Sequence, residues 1–315
     1  MKKYLFLLCL FFWIDVELQA QSFNRFKFEE PWSFSLQGGP SQYFGDLYSF
    51  WTYAEGIQPD YNIAVSTRYT FQNHLKARAD IFYYQISGQD HSADSKSGRQ
   101  ERNMNFRSRN LEASLVIEYY LRPVKTYNID RAFVNPYVFA GIGATTNNPH
   151  ADFRDQWIPL RPLQTENRKY PSTAVVFPMG FGLKYRVNIW MDLFMEGNYR
   201  FTFTDYLDDV SAYDVSGFYE ELIADYGING DGPHPDRLRL SVRQSKFVKE
   251  DGEPNIELIR SSNGAPRRGS GDPSVEPDAR YDGYFTFNVG LEIFFTDNIW
   301  DNWIFRKKRN GYRFW

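Results

Sequence analysis

Residues 75–84 alternate with a period of two. Leu75, Ala77, Ala79, Ile81 and Tyr83 fall on one face, and Lys76, Arg78, Asp80, Phe82 and Tyr84 on the other. The same beat returns over 111–121, where Leu111, Ala113, Leu115, Ile117, Tyr119 and Leu121 alternate with Glu112, Ser114, Val116, Glu118 and Tyr120. Over 175–186 the apolar face is Val175, Phe177, Met179, Phe181, Leu183 and Tyr185, opposite a face that includes Lys184 and Arg186. Over 285–295 it is Phe285, Phe287, Val289, Leu291, Ile293 and Phe295, opposite Thr286, Asn288, Gly290 and Glu292. The stretch EGNYRFTFTDYLDDV, extended back to Met191, sets Tyr199, Phe201 and Phe203 against Glu196, Asn198, Arg200 and Thr202. Weaker alternation runs through 32–42 and 61–71, and PYVFAGIGA at 136–144 is strand-like with its phase left open. A period of two is the signature of a strand with unlike faces. The pattern therefore predicts eight strands of about 9 to 12 residues or more, the length a tilted strand needs to cross a bilayer. Strands of soluble domains are shorter, about 5 to 6 residues.

The connections between these strands alternate as well. Links near 72–74 and 187–190 are short and 122–135 is of middling length, whereas 44–60, 88–105, 145–171 and 205–280 are long. Short and long connections in step with strand number are the habit of bacterial outer-membrane barrels, with short periplasmic turns and longer outer loops. The predicted fold is an all-β, eight-stranded, antiparallel, up-and-down transmembrane β-barrel with long extracellular loops. Within the longest loop, 216–226 reads as a short helix, and 231–278, rich in Gly, Pro, Arg, Ser and Asp, reads as irregular or partly disordered.

Composition narrows the setting. Residues 1–20 begin with Lys2 and Lys3, continue through an apolar run and end in Leu18-Gln19-Ala20, which reads as a secretory signal peptide. The single cysteine, Cys9, lies inside it, so the chain from residue 21 onward carries no disulfide. The formal net charge of −3 does not point to nucleic acid. Aromatic residues make up 18% of the chain, and no later stretch is apolar for 18 residues, which excludes helical spans but not barrel strands. The domain reading is a signal at 1–20, a barrel at 21–296 with its long outer loop at 205–280, and a basic aromatic tail at 297–315.

The inward faces carry the candidate chemistry. Arg68, Lys76, Arg78, Lys184, Arg186 and Arg200 are the cations, and Asp80, Glu112, Glu118, Asp192, Glu196 and Glu292 the anions. Eight strands make a barrel just wide enough for side chains to fill, so these charges are expected to pair inside it rather than line a channel. His74, His91, His150 and His234 are scattered over turns and loops without a metal or nucleophile spacing. Asp205, Asp208, Asp209 and Asp214 have oxygen ligands to offer calcium, but not in a twelve-residue loop with its Gly and terminal Glu; as an outer loop they read first as solvated acids at a membrane exit. The tail sets Trp300, Trp303 and Trp315 beside Arg306, Lys307, Lys308 and Arg309, a composition suited to lipid headgroups or to docking a periplasmic protein.

Four segments resemble one family. They are GGPSQYFGDL at 38–47, PYVFAGIG at 136–143 followed by Asn148-Pro149, WIPLRPLQTE at 157–166, and YRFTFTDYLDDVS at 199–211, the most specific. In this order they resemble the PorG-like outer-membrane barrels of Bacteroidota, a family often known only as a domain of unknown function. The resemblance implies a cell outer membrane protein associated with the type IX protein secretion system and, in some members, gliding. It implies as partner a periplasmic ring lipoprotein of that machine, besides outer-membrane lipid. No enzymatic activity, cofactor, nucleic acid or small-molecule substrate is expected. The alternatives are an outer-membrane enzyme, or a small adhesin or transport barrel, acting through the extracellular loops.

Overall fold

The structure is a computed structural model, and it describes residues 31–48, 59–95, 99–124, 132–188, 190–211, 215, 217–261, 267–269 and 281–294. The signal at 1–20 and the tail at 297–315, with Trp300, Trp303, Arg306, Lys307, Lys308, Arg309 and Trp315, lie outside the described residues, as does Asp214.

Eight long strands carry the architecture: β1 (Trp32–Phe44), β2 (Asp60–Thr70), β3 (Leu75–Gln89), β4 (Asn105–Tyr120), β5 (Val134–Thr146), β8 (Thr173–Arg186), β9 (Met191–Thr202) and β10 (Gly283–Phe294). Two short ones, β6 (Pro149–Phe153) and β7 (Gln156–Pro159), form a hairpin between β5 and β8. Each long strand pairs antiparallel with the next long one in sequence, and β1 pairs with β10, with Leu36 opposite Leu291. That last pairing closes the sheet into a barrel, so no long strand keeps an open edge and the backbone groups are satisfied within the sheet.

Side-chain polarity is inverted relative to a soluble protein. Leu115 is 67% exposed and Phe181 69%, and Ile81, Leu111, Ile117, Val138, Ile142, Val175, Phe201 and Val289 stand out around the wall with them. A contiguous apolar surface of this extent is a lipid-facing surface. The opposite faces, with most of the charges, are buried inside. The phase left open in β5 resolves with Tyr137 and Phe139 inside and Val138 and Ile142 outside. Gly141 faces inward beneath β4, where a Cβ would come within 2.2 Å of the Leu115 carbonyl oxygen.

Connections at one rim are short: 71–74 between β2 and β3, and 187–190 between β8 and β9, with 121–133 between β4 and β5. All the long connections emerge at the other rim, as the sequence predicts. Two of them are more ordered than expected. Residues 145–171 contain the β6–β7 hairpin, whose turn residues Arg154 and Asp155 both take positive φ, 53° and 64°. Those angles match the twist of a two-residue hairpin turn. The ladder of β4 runs on into it through Arg107 opposite His150. Residues 231–278, read as irregular, hold helices at Pro235–Ser241 and Ile256–Ser261 and a 3-10 turn at Ser245–Phe247. The predicted helix appears at Tyr219–Tyr226. Leu222, Ile223, Tyr226, Leu238, Val242, Phe247 and Ile259 pack into a small core of their own. Gly, Pro, Arg, Ser and Asp together make up most of 231–278 and mask its sparse apolar anchors. Pro235 itself sits at the first turn of its helix, where its missing N–H costs nothing.

Candidate functional site

The barrel interior is where the sequence-predicted charges meet. Eleven of the twelve are buried: Arg68, Lys76, Arg78, Asp80, Glu112, Glu118, Lys184, Asp192, Glu196, Arg200 and Glu292. Arg186, the last residue of β8, is half-buried at the short-turn rim. At the centre, Glu118 Oε1 accepts from Arg68 Nε at 2.9 Å and from Arg78 Nη1 at 2.6 Å. Glu196 Oε1 lies 3.3 Å from Arg68 Nη2 and 2.5 Å from Arg78 Nη1. Arg78 also holds Asp80 at 2.9 Å. Two guanidinium groups thus clamp two carboxylates contributed by β4 and β9, across the barrel bore. Tyr120 and Tyr137 donate hydroxyl hydrogens to Glu118 and Glu196, at 2.6 and 2.5 Å. Burial of this much charge is tolerated only with such pairing, because a lone ion in a low-dielectric interior costs several kcal/mol, about the scale of a domain's whole stability.

Two smaller knots flank the centre. Toward the short-turn rim, Lys76 lies 2.9 Å from Glu292, Lys184 pairs with the same carboxylate, and Ser33 donates to it at 2.6 Å. Asp192 and Arg186 border a cavity of about 20 Å³ there with Lys76 and Lys184, room for about one water. Toward the long-loop rim, Arg200 meets Glu112 at 2.7 Å, and Tyr284 donates to the same carboxylate at 2.5 Å. Aromatic faces cover the cations: Arg68 on Phe194, Arg78 on Phe139 and Arg200 on Phe82, at 4.9, 4.7 and 4.2 Å from the ring centres. The bore is filled by side chains throughout this section, which is the packed reading of a small barrel.

Above Glu112 the filling turns apolar. Tyr84 stacks on Tyr284 with centroids 4.5 Å apart, and Tyr43 meets Phe106 edge-on at 4.8 Å. Leu47, Leu207, Val210 and Leu240 come down onto them from the long loops. The acids after β9 hold this plug in place, and here the reading as solvated surface is corrected. Asp205 is 6% exposed, and Asp208 and Asp209 1% each. Asp208 accepts from the backbone N–H groups of Leu47 and Val210, at 3.2 and 3.0 Å. Asp282, just before β10, accepts from the Tyr43 hydroxyl at 2.7 Å and from the Leu207 N–H at 2.9 Å. Asp209 accepts from the hydroxyls of Tyr170, at 2.6 Å, and Thr165. These carboxylates replace missing backbone partners where loops of different origin meet, which keeps them buried.

Arginines complete the cap. Arg268 is 1% exposed and reaches Glu166 at 2.9 Å, Asp209 at 3.4 Å, and the carbonyls of Leu240 and Ser241, each at 3.2 Å. Arg102 binds Asp90 through Nε at 2.6 Å and donates to the Arg268 carbonyl. Asp90, Arg102, Glu166, Arg268 and Asp282 escape a sequence reading because each lies in an apparently irregular loop and, except for Asp90 with its partners in its own loop, bonds mostly to groups distant in the chain; only the DYLDD stretch is marked, by its density of acids.

Electrostatics differ between cap and bore. Burial raises the Asp208 and Asp282 carboxyls well above the usual range, with neighbouring carboxylates (Asp46 and Asp205 for Asp208, Asp208 and Asp205 for Asp282) pushing the same way. Burial takes Asp209 up to about 6, with Arg268 opposing the rise. Among the described residues no group of three His, Cys, Asp or Glu is placed to hold a metal ion. The histidines stay apart: His74 contacts the Tyr120 carbonyl at 2.7 Å, and His150 that of Asn148 at 2.9 Å, on opposite rims.

Residues 6–221 match the model of a family described as a domain of unknown function, DUF6089. Solved structures of similar shape include Neisserial surface protein A, at 10% identity over 84% of this chain and 97% of that one, TM-score 0.36. The attachment invasion locus protein Ail of Yersinia pestis aligns at 9% over 84% and 99%, TM-score 0.34. The outer membrane protein OprG of Pseudomonas aeruginosa aligns at 10% over 84% and 97%, TM-score 0.35. No curated protein matches. The barrel assignment rests on the strand register above rather than on these likenesses.

Proposed function

The chain belongs to the DUF6089 family, and from that premise we propose that it is a non-enzymatic barrel of the cell outer membrane, a structural or docking component of protein secretion rather than a conduit. The observation that carries this reading is the filled bore: Arg68, Arg78, Glu118 and Glu196 close its centre and the loop cap closes the long-loop rim. A barrel so occupied offers its surfaces, not its lumen. The long-loop rim faces the outside and the short turns the periplasm, following the usual asymmetry of such barrels.

The finer assignment, to the type IX secretion machinery of Bacteroidota, is supported by the resemblance of the 38–47, 136–143, 157–166 and 199–211 segments to PorG-like barrels. In this reading the basic aromatic tail at 297–315 docks a periplasmic ring lipoprotein. The test is deletion of 297–315 in cells, with secreted type IX cargo measured and heat-modifiable migration used to verify the barrel. Secretion should fall while migration persists; unchanged secretion with an assembled barrel would sink the docking role. Purified protein in planar bilayers should show no large steady conductance, and stable porin-like currents would refute the closed bore.

A further inference from the structure

A recess of about 540 Å³ opens on the outer wall where β8 and β9 leave the apolar band at the long-loop rim. Its lower lip is lipid-facing surface. Val175 is 48% exposed, and Phe203 and Tyr281 are 62% exposed each, their rings edge-on at 6.0 Å. The Phe203 N–H donates to the Val175 carbonyl at 3.3 Å, so the two strands are still joined there, and Phe177 and Phe201 continue the apolar surface below. Its upper lip is basic, with Arg168 and Lys169 both exposed. The back wall is rigid. Tyr170 stacks on Tyr206 at 4.8 Å with the planes 12° apart, and Tyr170 is tied to Asp209.

An apolar lip continuous with the bilayer surface and a cationic lip on its long-loop side describe an amphiphile with an anionic head. Cations near this rim interact with their own chain, Arg168 among them: Arg107 lies 3.6 Å over the Trp157 ring, and Arg109 donates to Gln85 at 2.9 Å. Lys169 makes no hydrogen bond or ion pair among the described residues. The carboxylate of Asp205 lines the recess but is buried behind it. Two adjacent cations match the charge and oxygen count of a phosphate group.

We propose that this recess binds a phosphate-bearing lipid of the outer leaflet, its phosphate on Arg168 and Lys169 and an acyl chain lying over Phe203, Val175 and Phe177. The inference rests on the membrane reading of the barrel and not on the docking role of the tail. The preformed Tyr170–Tyr206 wall means that binding needs little reorganisation.

Native mass spectrometry of the full chain in a nonionic detergent tests it, with titration by bisphosphorylated lipid A and by its dephosphorylated counterpart. The phosphorylated lipid should bind about thirtyfold more tightly, roughly fivefold per cation. The double variant R168Q/K169Q should lose that preference, whereas R154Q/K249Q, which removes two charges from the cap far from the band, should retain it. Equal binding of both lipids, or a preference that survives R168Q/K169Q, would overturn the proposal. Displacement of the lipid by inorganic phosphate alone would also overturn it, by showing an anion site without a lipid requirement. Heat-modifiable migration of each variant verifies the barrel, so failure of the site and failure of the fold are told apart.

Discussion

The bore and the cap both bury carboxylates, and they do it in opposite ways. In the bore, Glu118 and Glu196 each face two guanidinium groups, Arg68 and Arg78, and neighbouring aromatic rings cover the cations. In the cap, Asp208 and Asp282 face backbone N–H groups, a tyrosine hydroxyl and one another. Opposite charges make the first arrangement a set of cross-links between strands. Burial, reinforced by like charges, makes the second a set of groups that gain from holding a proton. The cap carboxylates Asp208 and Asp282 should therefore respond to pH in the mildly acid range, whereas the central clamp of the bore should depend on charge complementarity.

The largest effect should come from taking one member out of the central clamp. Arg78→Met leaves Asp80, Glu118 and Glu196 short of a partner and should cost about 3–5 kcal/mol, read as a lower urea midpoint for unfolding from lipid vesicles. A second change, Glu196→Gln, should restore part of that loss; an additive loss would mean the two side chains are not coupled.

Next comes the wall. Leu115→Arg, in the middle of the apolar band, should cost about 2–4 kcal/mol in a bilayer. Ile228 is even more exposed, at 82%, but lies on the cap away from the strands. Ile228→Arg should stay within about 0.5 kcal/mol. Equal effects in the same urea assay would contradict the division of the surface into lipid-facing and water-facing parts.

The cap should show a subtler, pH-linked change. A carboxyl raised in the folded state contributes stability that is fully present below its unfolded value and lost as pH rises through the folded one. For Asp209 that window runs from about 4 to about 6. Asp208 and Asp282, raised further, extend it upward. Hydrogen exchange of the Leu47, Leu207 and Val210 amides, corrected for intrinsic rate, should report a cap that opens more readily as pH rises through this window, while strand amides of the bore hold constant. Asp209→Asn should remove its share of the slope. A cap equally protected across the window would refute this account of its buried carboxyls.

The barrel was legible because a wall of fixed handedness and period two writes itself into local sequence. Lys76, Arg78 and Asp80 lie inside because Leu75, Ala77, Ala79 and Ile81 lie outside, and no knowledge of partners is needed for that inference. The long loops were legible as loops and not as a cap. The contacts that order them, such as Arg268 to Glu166 or Arg102 to the Arg268 carbonyl between loops and Arg268 to Asp209 within one, join residues far apart in the chain whose local surroundings carry no period. The stretch EGNYRFTFTDYLDDV shows the difference within one segment. Up to Thr202 its alternation announces which side chain faces lipid and which the bore. Beyond it, local sequence marks three acids and does not say that they are buried.

Sequence alone thus determined the eight long strands, their inward and outward faces, the membrane-type surface and, from the spacing between strands, the alternation of short with long connections; faces and surface follow from neighbours two residues apart. Tertiary structure decided which charges pair, that the bore is plugged from the long-loop side, and that Asp208, Asp209 and Asp282 bind loops together. Those outcomes depend on closure of the barrel, which brings β1 against β10 and carries groups more than a hundred residues apart to hydrogen-bonding distance.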